Sequence, residues 1–304
     1  MNPAIDRAVL ADRLVFEDRG YILSRSESAG GRGINASAVI RSFGGETLAI
    51  APCGGETGER FKQLMVTCCG YPVDLVSIRK EVRLNFIATD RQGLTIKLNE
   101  LGPELEPDEV AAVKKSVESH LVRAGWLMLC GSLPPGVPAD FYSELIGAAR
   151  KRGVKTLLDT DGDPLREGIE ARPTVVSPNQ HEAERLLNQA LLTRVHFLEA
   201  AERIRAMGAE SVVLSLGSRG AIGATEGELV EVLAPRIDAV SPIGSGDALA
   251  AAFVWASVNG SGFSDALRWG VATGTASAQL PGTSYASLNQ TRKVYEQVRV
   301  KPAK

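Results

Sequence analysis

From residue 125 onward the chain alternates short apolar runs with stretches of helical composition, and few folds accommodate that alternation. Residues 125–130, GWLMLC, form a continuous apolar run. That is the mark of a strand covered on both faces, since a one-sided strand would alternate apolar and polar residues. Helix 139–152, strand 154–159, helix 164–171, strand 174–177, helix 179–187, helix 199–207 and strand 211–216 are read after it. Strands separated by helices run parallel and are joined by right-handed crossovers. The expected class is α/β, a doubly wound, mostly parallel sheet flanked by helices. Ligands of such sheets bind outside the carboxyl ends of the strands.

The first part of the chain is different. Two stretches, about 7–26 and 82–98, have strand-like composition and no long helix. Arg91-Gln92-Gly93 reads as the turn between strands 84–89 and 94–98. These stretches are expected to form a small extra sheet. Helices 34–43 and 58–69 and a strand at 47–51 are read between them. At the far end, 246–258, 263–280 and 288–300 read as helices, and the first is so apolar that it should be buried all round. No repeat or linker interrupts the pattern, so residues 1–304 are expected to form one domain.

Composition excludes several classes. With 34 Lys+Arg against 36 Asp+Glu, the chain lacks the basic excess of a dedicated nucleic-acid binder. No apolar run reaches the ~18 residues that a membrane span needs, and no signal peptide is read at the start. The four cysteines (Cys53, Cys68, Cys69, Cys130) show no C-x-x-C spacing, and the three histidines form no H-E-x-x-H. Zinc is not expected, and a reducing, cytoplasmic setting is. Glycine is in excess: 31 residues, eight of them between 30 and 58.

Five segments could carry chemistry, four of them marked by glycine. Ile243-Gly244-Ser245-Gly246-Asp247 leads into the apolar helix. Glycines let the backbone approach a ligand, and a helix start offers free N–H groups and a positive dipole end, which suits phosphate. Asp247 stands where a carboxylate could take a proton from an attacking hydroxyl. The same residues would equally form a plain turn with an Asp suited to the dipole. Gly31-Arg32-Gly33-Ile34-Asn35-Ala36 fits G-x-G-x-x-A, with Glu56 about twenty residues on, yet the preceding 24–28 is polar and reads as no buried strand. Asn35 could simply cap a helix. Pro178-Asn179-Gln180-His181-Glu182 follows a short strand and puts Asn179 and Glu182 on one helix face. They could hold a hydrated Mg²⁺ or serve as an N-cap with its first-turn Glu. Ser215-Leu216-Gly217-Ser218-Arg219-Gly220 suits a backbone-lined nucleotide pocket or an ordinary β-turn. No Walker A loop is present. Cys130-Gly131-Ser132-Leu133-Pro134-Pro135-Gly136 would make a rigid loop at the same sheet edge.

Taken in order, these elements resemble the ribokinase-like (PfkB) carbohydrate kinases over nearly the whole chain. The matching motifs are Asn2-Pro3-Ala4-Ile5-Asp6, Gly30 to Asn35, Gly131 to Gly136, Pro178 to Glu182 and Gly244 to Asp247. The first motif and the Ser-Leu-Pro-Pro-Gly loop look most like the phosphosugar branch, which includes 1-phosphofructokinase, tagatose-6-phosphate kinase and the minor 6-phosphofructokinase.

The resemblance implies a ribokinase-like fold with the small sheet as a lid, and ATP-dependent phosphorylation of a ketohexose monophosphate. It implies Asp247 as the catalytic base, with Gly244, Ser245 and Gly246 as the anion hole. Asp6, Gly31 and Asn35 would hold sugar hydroxyls, and Arg83 and Arg19 would reach the phosphate already on the sugar. Asn179 and Glu182 would organise Mg²⁺ and the nucleotide phosphates, and Ser215, Gly217 and Gly220 would line the nucleotide pocket. ATP and Mg²⁺ are the implied cofactors, a monovalent cation stays open, and the implied partner is a second copy through the lid.

Three departures stand out. The chain starts directly on Asn-Pro-Ala-Ile-Asp, where the family has a core strand, so either the sheet is one strand short or the start lies upstream. Arg32 and Ser177 stand where lysines are common, and Ser177 is expected to weaken ATP binding.

Overall fold

The computed structural model describes residues 1–68, 70–282 and 284–303. The chain opens with strands β1 (Ala4–Ala11) and β2 (Ile22–Gly30). Helix α1 (Arg32–Ser42), β3 (Ala49–Cys53), α2 (Gly55–Cys68) and β4 (Val73–Ser77) follow, and then β5 (Arg83–Asp90) and β6 (Thr95–Asn99). The alternating part comprises α3 (Pro107–His120), β7 (Trp126–Cys130), α4 (Phe141–Arg150), β8 (Lys155–Asp159), α5 (Gly162–Glu170), β9 (Val175–Val176), α6 (Gln180–Leu187), α7 (Arg194–Ala206) and β10 (Ser211–Ser215). It closes with β11 (Gly220–Ala224), β12 (Leu229–Leu233), α8 (Ser245–Val258), α9 (Phe263–Ser277), α10 (Leu288–Tyr295) and β13 (Arg299–Pro302).

Seven strands form the main sheet in the order β13-β12-β11-β10-β9-β8-β7. The four strands from β7 to β10 run parallel, as their apolar runs and intervening helices require. From β10 to β13 the pairings are antiparallel, so the sheet is mixed rather than mostly parallel. The short loops after β10 and β11 explain this, because a turn of a few residues can only reverse a strand. Core side chains cover both faces: Leu158, Val176, Val212 and Leu214 pack with α4 to α7, and Leu157, Val175 and Val213 with α8 and α9.

The expectation for 288–300 is corrected. The helix stops at Tyr295, and β13 pairs antiparallel with β12. Val298 and Val300 favour extended backbone, and Pro302 is tolerated because β13 is an edge strand. The helix expected over 58–69 begins at Gly55 and is described to Cys68. Position 69, and with it part of that expectation, lies outside the described residues.

The small sheet has the order β2-β1-β5-β6. It is larger than 7–26 and 82–98 suggest. β1 starts at Ala4 and so includes Asp6, and β2 runs through the polar 24–28 to Gly30. The polar run makes a strand here because β2 lies at the edge of the small sheet and need not bury both faces. It also removes the dinucleotide reading, since the strand before Gly31 is an antiparallel lid strand and not the first strand of a parallel βαβ unit.

β3 and β4 form a separate parallel pair. Among the described residues no strand joins β3 to β7, although α1 packs on both and Ile50, Val76 and Met1 pack against the main core. The chain's opening motif therefore sits where two sheet edges face the same helix.

Candidate active site

The carboxyl ends of β7 to β10 meet the lid strands and the starts of α1 and α8, and the residues expected to carry chemistry gather there. Helix α8 is capped at its start by Gly244, whose φ of 75° lies in the left-handed region. A side chain there would be strained, and its Cβ would stand 3.0 Å from the ring and hydroxyl of Tyr285. Around Gly246 the space is open to 4 Å. The first-turn N–H groups thus border an open face, with the positive end of the helix dipole behind them.

Asp247 sits in that first turn. The Nδ2 of Asn35, on α1, donates to its Oδ2 at 2.7 Å. Burial raises the Asp247 pKa. Asn35 and the Arg32 guanidinium oppose the rise, and the charges of Asp6 and Glu182 add to it. Asn35 is brought there by Gly31 (φ 111°), which turns the chain from β2 into α1 within van der Waals distance of Pro3. Gly30 lies against the Asp6 carboxyl, where a Cβ would stand 2.2 Å from Oδ2. Asp6 accepts from Asn85 Nδ2 at 2.8 Å, across the β1–β5 register, and its burial raises its pKa too.

Arg83 lies at the foot of the lid, beside a cavity of about 360 Å³ that Thr57, Lys80 and Glu100 also line. Its two Nη groups donate to the carbonyls of Glu100 and Asn2, and its buried Nε has no protein partner. Burial lowers its pKa. Arg19 is not brought to this cluster. It lies in the exposed turn between β1 and β2, and its hydrogen bonds to Asp18 and Arg13 are local.

On the opposite side, α6 starts with a reciprocal cap. Asn179 Oδ1 accepts from Glu182 N–H, and Glu182 Oε2 accepts from Asn179 N–H, each at 2.9 Å. The capping reading of these residues is thus correct, but it uses only one Glu182 oxygen. Oε1 accepts from Arg32 Nη2 at 2.9 Å, and Arg32 Nη1 donates to Asp159 Oδ1 at 2.8 Å. Asn179 forms a bridge to Ser215 at the end of β10. Gly217 and Gly220 both have positive φ, and a Cβ at Gly220 would meet the carbonyl of Val232 at 1.9 Å. The loop after β7 is also clamped: Tyr142 Oη donates to the carbonyls of Cys130 and Gly131, and Ser132 Oγ receives Asn2 Nδ2.

Sequence reasoning passed over Asp159, the partnership of Arg32 and the position of Tyr285. Asp159 closes the apolar run of β8, so its place at a strand's carboxyl end was a readable signal. Burial, with Asp247 and Glu182 nearby, pushes its pKa up to about 7 against the pull of Arg32. Nothing local marks Tyr285, which reaches Gly244 from forty residues on. Cys53 and Cys130 are free thiols, both buried.

Two carboxylates, Asp159 and Glu182, share one guanidinium in a setting of hard oxygens. That donor set suits Mg²⁺, which uses one or two carboxylates together with substrate phosphates. Among the described residues there is no cluster of three or more side chains of the kind that would cage a metal by themselves.

Comparison with known proteins identifies the family. The profile of the pfkB family carbohydrate kinases matches residues 2–291. The 1-phosphofructokinase of Borreliella burgdorferi is 30% identical over 301 residues, covering 99% of this chain and 96% of the relative. Phosphofructokinase-2 from Escherichia coli, solved in complex with potassium, superposes with a TM-score of 0.91 at 29% identity, over 98% of this chain and 96% of that one. Arabidopsis thaliana ribokinase, with ribose and ATP, shares the fold at a TM-score of 0.78 and 22% identity, over 97% and 96% of the two chains.

Proposed function

The chain belongs to the pfkB family of carbohydrate kinases, phosphotransferases with an alcohol acceptor, and from that premise we propose that it transfers the terminal phosphoryl group of ATP to a hydroxyl of a ketohexose monophosphate. The acceptor would be that of a 1-phosphofructokinase or a tagatose-6-phosphate kinase. The observation that carries the reading is Asp247, held by Asn35 at the first turn of α8 beside an open, glycine-lined helix start.

In this reading Asp247 takes the proton of the acceptor hydroxyl as its oxygen bonds to the γ-phosphorus and ADP leaves. A raised carboxyl pKa suits a base working near neutrality. Gly244, Ser245 and Gly246 present N–H groups to the transferring phosphoryl oxygens, where charge builds up in the transition state. Asp6, Gly31 and Asn35 orient the sugar hydroxyls. Arg83 serves the phosphate already on the sugar through the field of its charge, and Arg19 would need the loop between β1 and β2 to bring it in. Ser215, Gly217, Gly220 and Asn179 line the nucleotide side. Glu182 and Asp159 are the residues that would hold Mg²⁺, which when bound neutralises phosphate charge. The potassium of phosphofructokinase-2 supports asking for a monovalent cation here as well.

The lid supports a homodimer. Phe16, Tyr21, Ile22, Leu23 and Leu98 are exposed on it, more apolar surface than a free lid would carry. Phosphofructokinase-2 has a tetrameric inhibited form, so its assembly goes beyond a pair.

ADP release with fructose 1-phosphate, tagatose 6-phosphate and fructose 6-phosphate tests the reading. Turnover of either of the first two at least tenfold above fructose 6-phosphate is expected. A preference for fructose 6-phosphate, which phosphofructokinase-2 is seen to bind, would establish the second reading, a 6-phosphofructokinase. No turnover with any of the three overturns both.

A further inference from the structure

We infer that Arg32 is the resident counter-ion of the metal side of the crevice, and that a divalent cation must compete with its guanidinium for Glu182 and Asp159. The inference rests on the reading of these two carboxylates given above.

The hydrogen bonds of Glu182 make the case. One carboxylate oxygen, Oε2, is held by the Asn179 N–H of the helix cap, and the other, Oε1, by Arg32 Nη2. With Arg32 in place, each oxygen of Glu182 already carries a donor, and a cation must share that carboxylate with a guanidinium charge. Asp159 has given Oδ1 to the same guanidinium. The geometry is the planar fork of arginine set across two acids, each bond short enough to be charge-assisted.

Exposure says which partner can move. The side chains of Glu182 and Asp159 are 2% and 9% exposed, whereas that of Arg32 is 31% exposed. Arg32 is the first residue of α1 and its stem passes Gly131, where even a Cβ would stand 3.9 Å away. Its guanidinium can swing toward the open crevice while its backbone stays in the helix. The two acids are locked, one by its cap and the other at the end of a buried strand.

Charge gives the driving force. Asp159, Glu182 and Asp247 all act on Arg32, three carboxylates on one guanidinium. Without Arg32 the pocket would hold like charges with no counter-ion, and a small dication is the species best able to replace it. A free metal ion must therefore compete with an internal cation. A metal arriving with nucleotide phosphates brings its own anions, which can receive the displaced guanidinium.

The test uses Mn²⁺ as a spin probe, with free ion counted by electron paramagnetic resonance on the full-length chain without nucleotide or sugar. Arg32→Gln should bind Mn²⁺ at least tenfold more tightly than the wild type. Arg32→Lys, a single point charge unable to bridge both acids, should fall between the two. Adding Glu182→Gln to Arg32→Gln should return affinity to the wild-type level or below. Unchanged or weaker Mn²⁺ binding in Arg32→Gln overturns the inference. If that variant does not fold, Arg32→Lys decides: affinity no higher than wild type overturns it. No substrate enters the measurement, so a chain that phosphorylated none of the phosphosugars would still give an answer. Conversely, brisk phosphosugar turnover with unchanged Mn²⁺ affinity would sink only the role of Arg32.

Discussion

The two walls of the crevice are made of sheets that share little beyond backbone pairing. The main sheet places Leu157, Leu158, Val176, Val212 and Leu214 out of reach of solvent, and the residues at its strand ends inherit that rigidity. The small sheet is open at its edges, where every residue of β6 and the first five of β2 are exposed, and more packed at its inner strands β1 and β5. The difference bears on the proposed roles. A group that must be placed to a fraction of an ångström during phosphoryl transfer belongs on the rigid wall, and Asp247, Asp159 and Glu182 are on elements packed there. A group that helps hold the substrate tolerates a less deeply packed wall, and Asp6, Asn85 and Arg83 are on the inner strands of the small sheet. Substitutions on the first wall should therefore act on turnover, and those on the second on substrate affinity.

The sharpest test of that division is Asp247→Asn. Loss of the base should lower kcat by about 10²–10⁴-fold, with KM for the phosphosugar changed little and thermal stability kept or raised, because a desolvated charge is removed. Undiminished turnover would remove Asp247 from the chemistry. Arg83→Ala is the counterpart on the lid. KM for the phosphosugar should rise about 10–100-fold, the worth of one or two charge-assisted contacts, and kcat should fall much less. A drop confined to kcat would move Arg83 to the other wall.

This division explains what could be read from the amino-acid sequence. The parallel strands were legible because burial on both faces writes itself as uninterrupted runs such as WLMLC. Gly244-Ser245-Gly246-Asp247 was legible because a left-handed residue followed by a helix start demands particular residue types. The small sheet is less legible at its edges: the polar β2 carries no burial signal, and β1 begins three residues before the stretch of strand-like composition at 7–26. The Arg32 bridge was invisible because its three residues, at 32, 159 and 182, are joined only by the fold. Tyr285 escaped for the same reason. The turn to β13 was missed because helix α10 supplies the amphipathic pattern and pairing with β12 overrides it beyond Tyr295.

The stability of the two sheets should diverge as well. Leu158→Ala in the main core should cost about 2–5 kcal/mol, as for a fully buried leucine, measured by urea denaturation. Leu98→Glu on the lid, at a side chain 62% exposed, should leave that value within about 0.5 kcal/mol. Its effect should appear in sedimentation, as loss of the proposed dimer, and in a rise in KM. A wild-type chain that sediments as a monomer at micromolar concentration would leave the lid's apolar surface without a second copy to cover it.

The smallest expected effect lies where the two walls touch. Asn35 donates to Asp247 and so favours the ionised carboxyl, against the burial that raises its pKa. Asn35→Ala removes that donor, and the Asp247 pKa should rise further above the ordinary carboxylate value. The base must be ionised to accept a proton, so activity is lost as pH falls through the pKa of the folded enzyme. The acid limb of the kcat/KM profile should therefore move to higher pH in Asn35→Ala. On the alkaline plateau, where Asp247 is ionised in both proteins, the loss should stay within about tenfold, one neutral donor's worth. An acid limb that stays in place would mean that Asn35 acts on the sugar alone. A limb moving to lower pH would mean that another carboxylate, with a different set of neighbours, is the group being titrated.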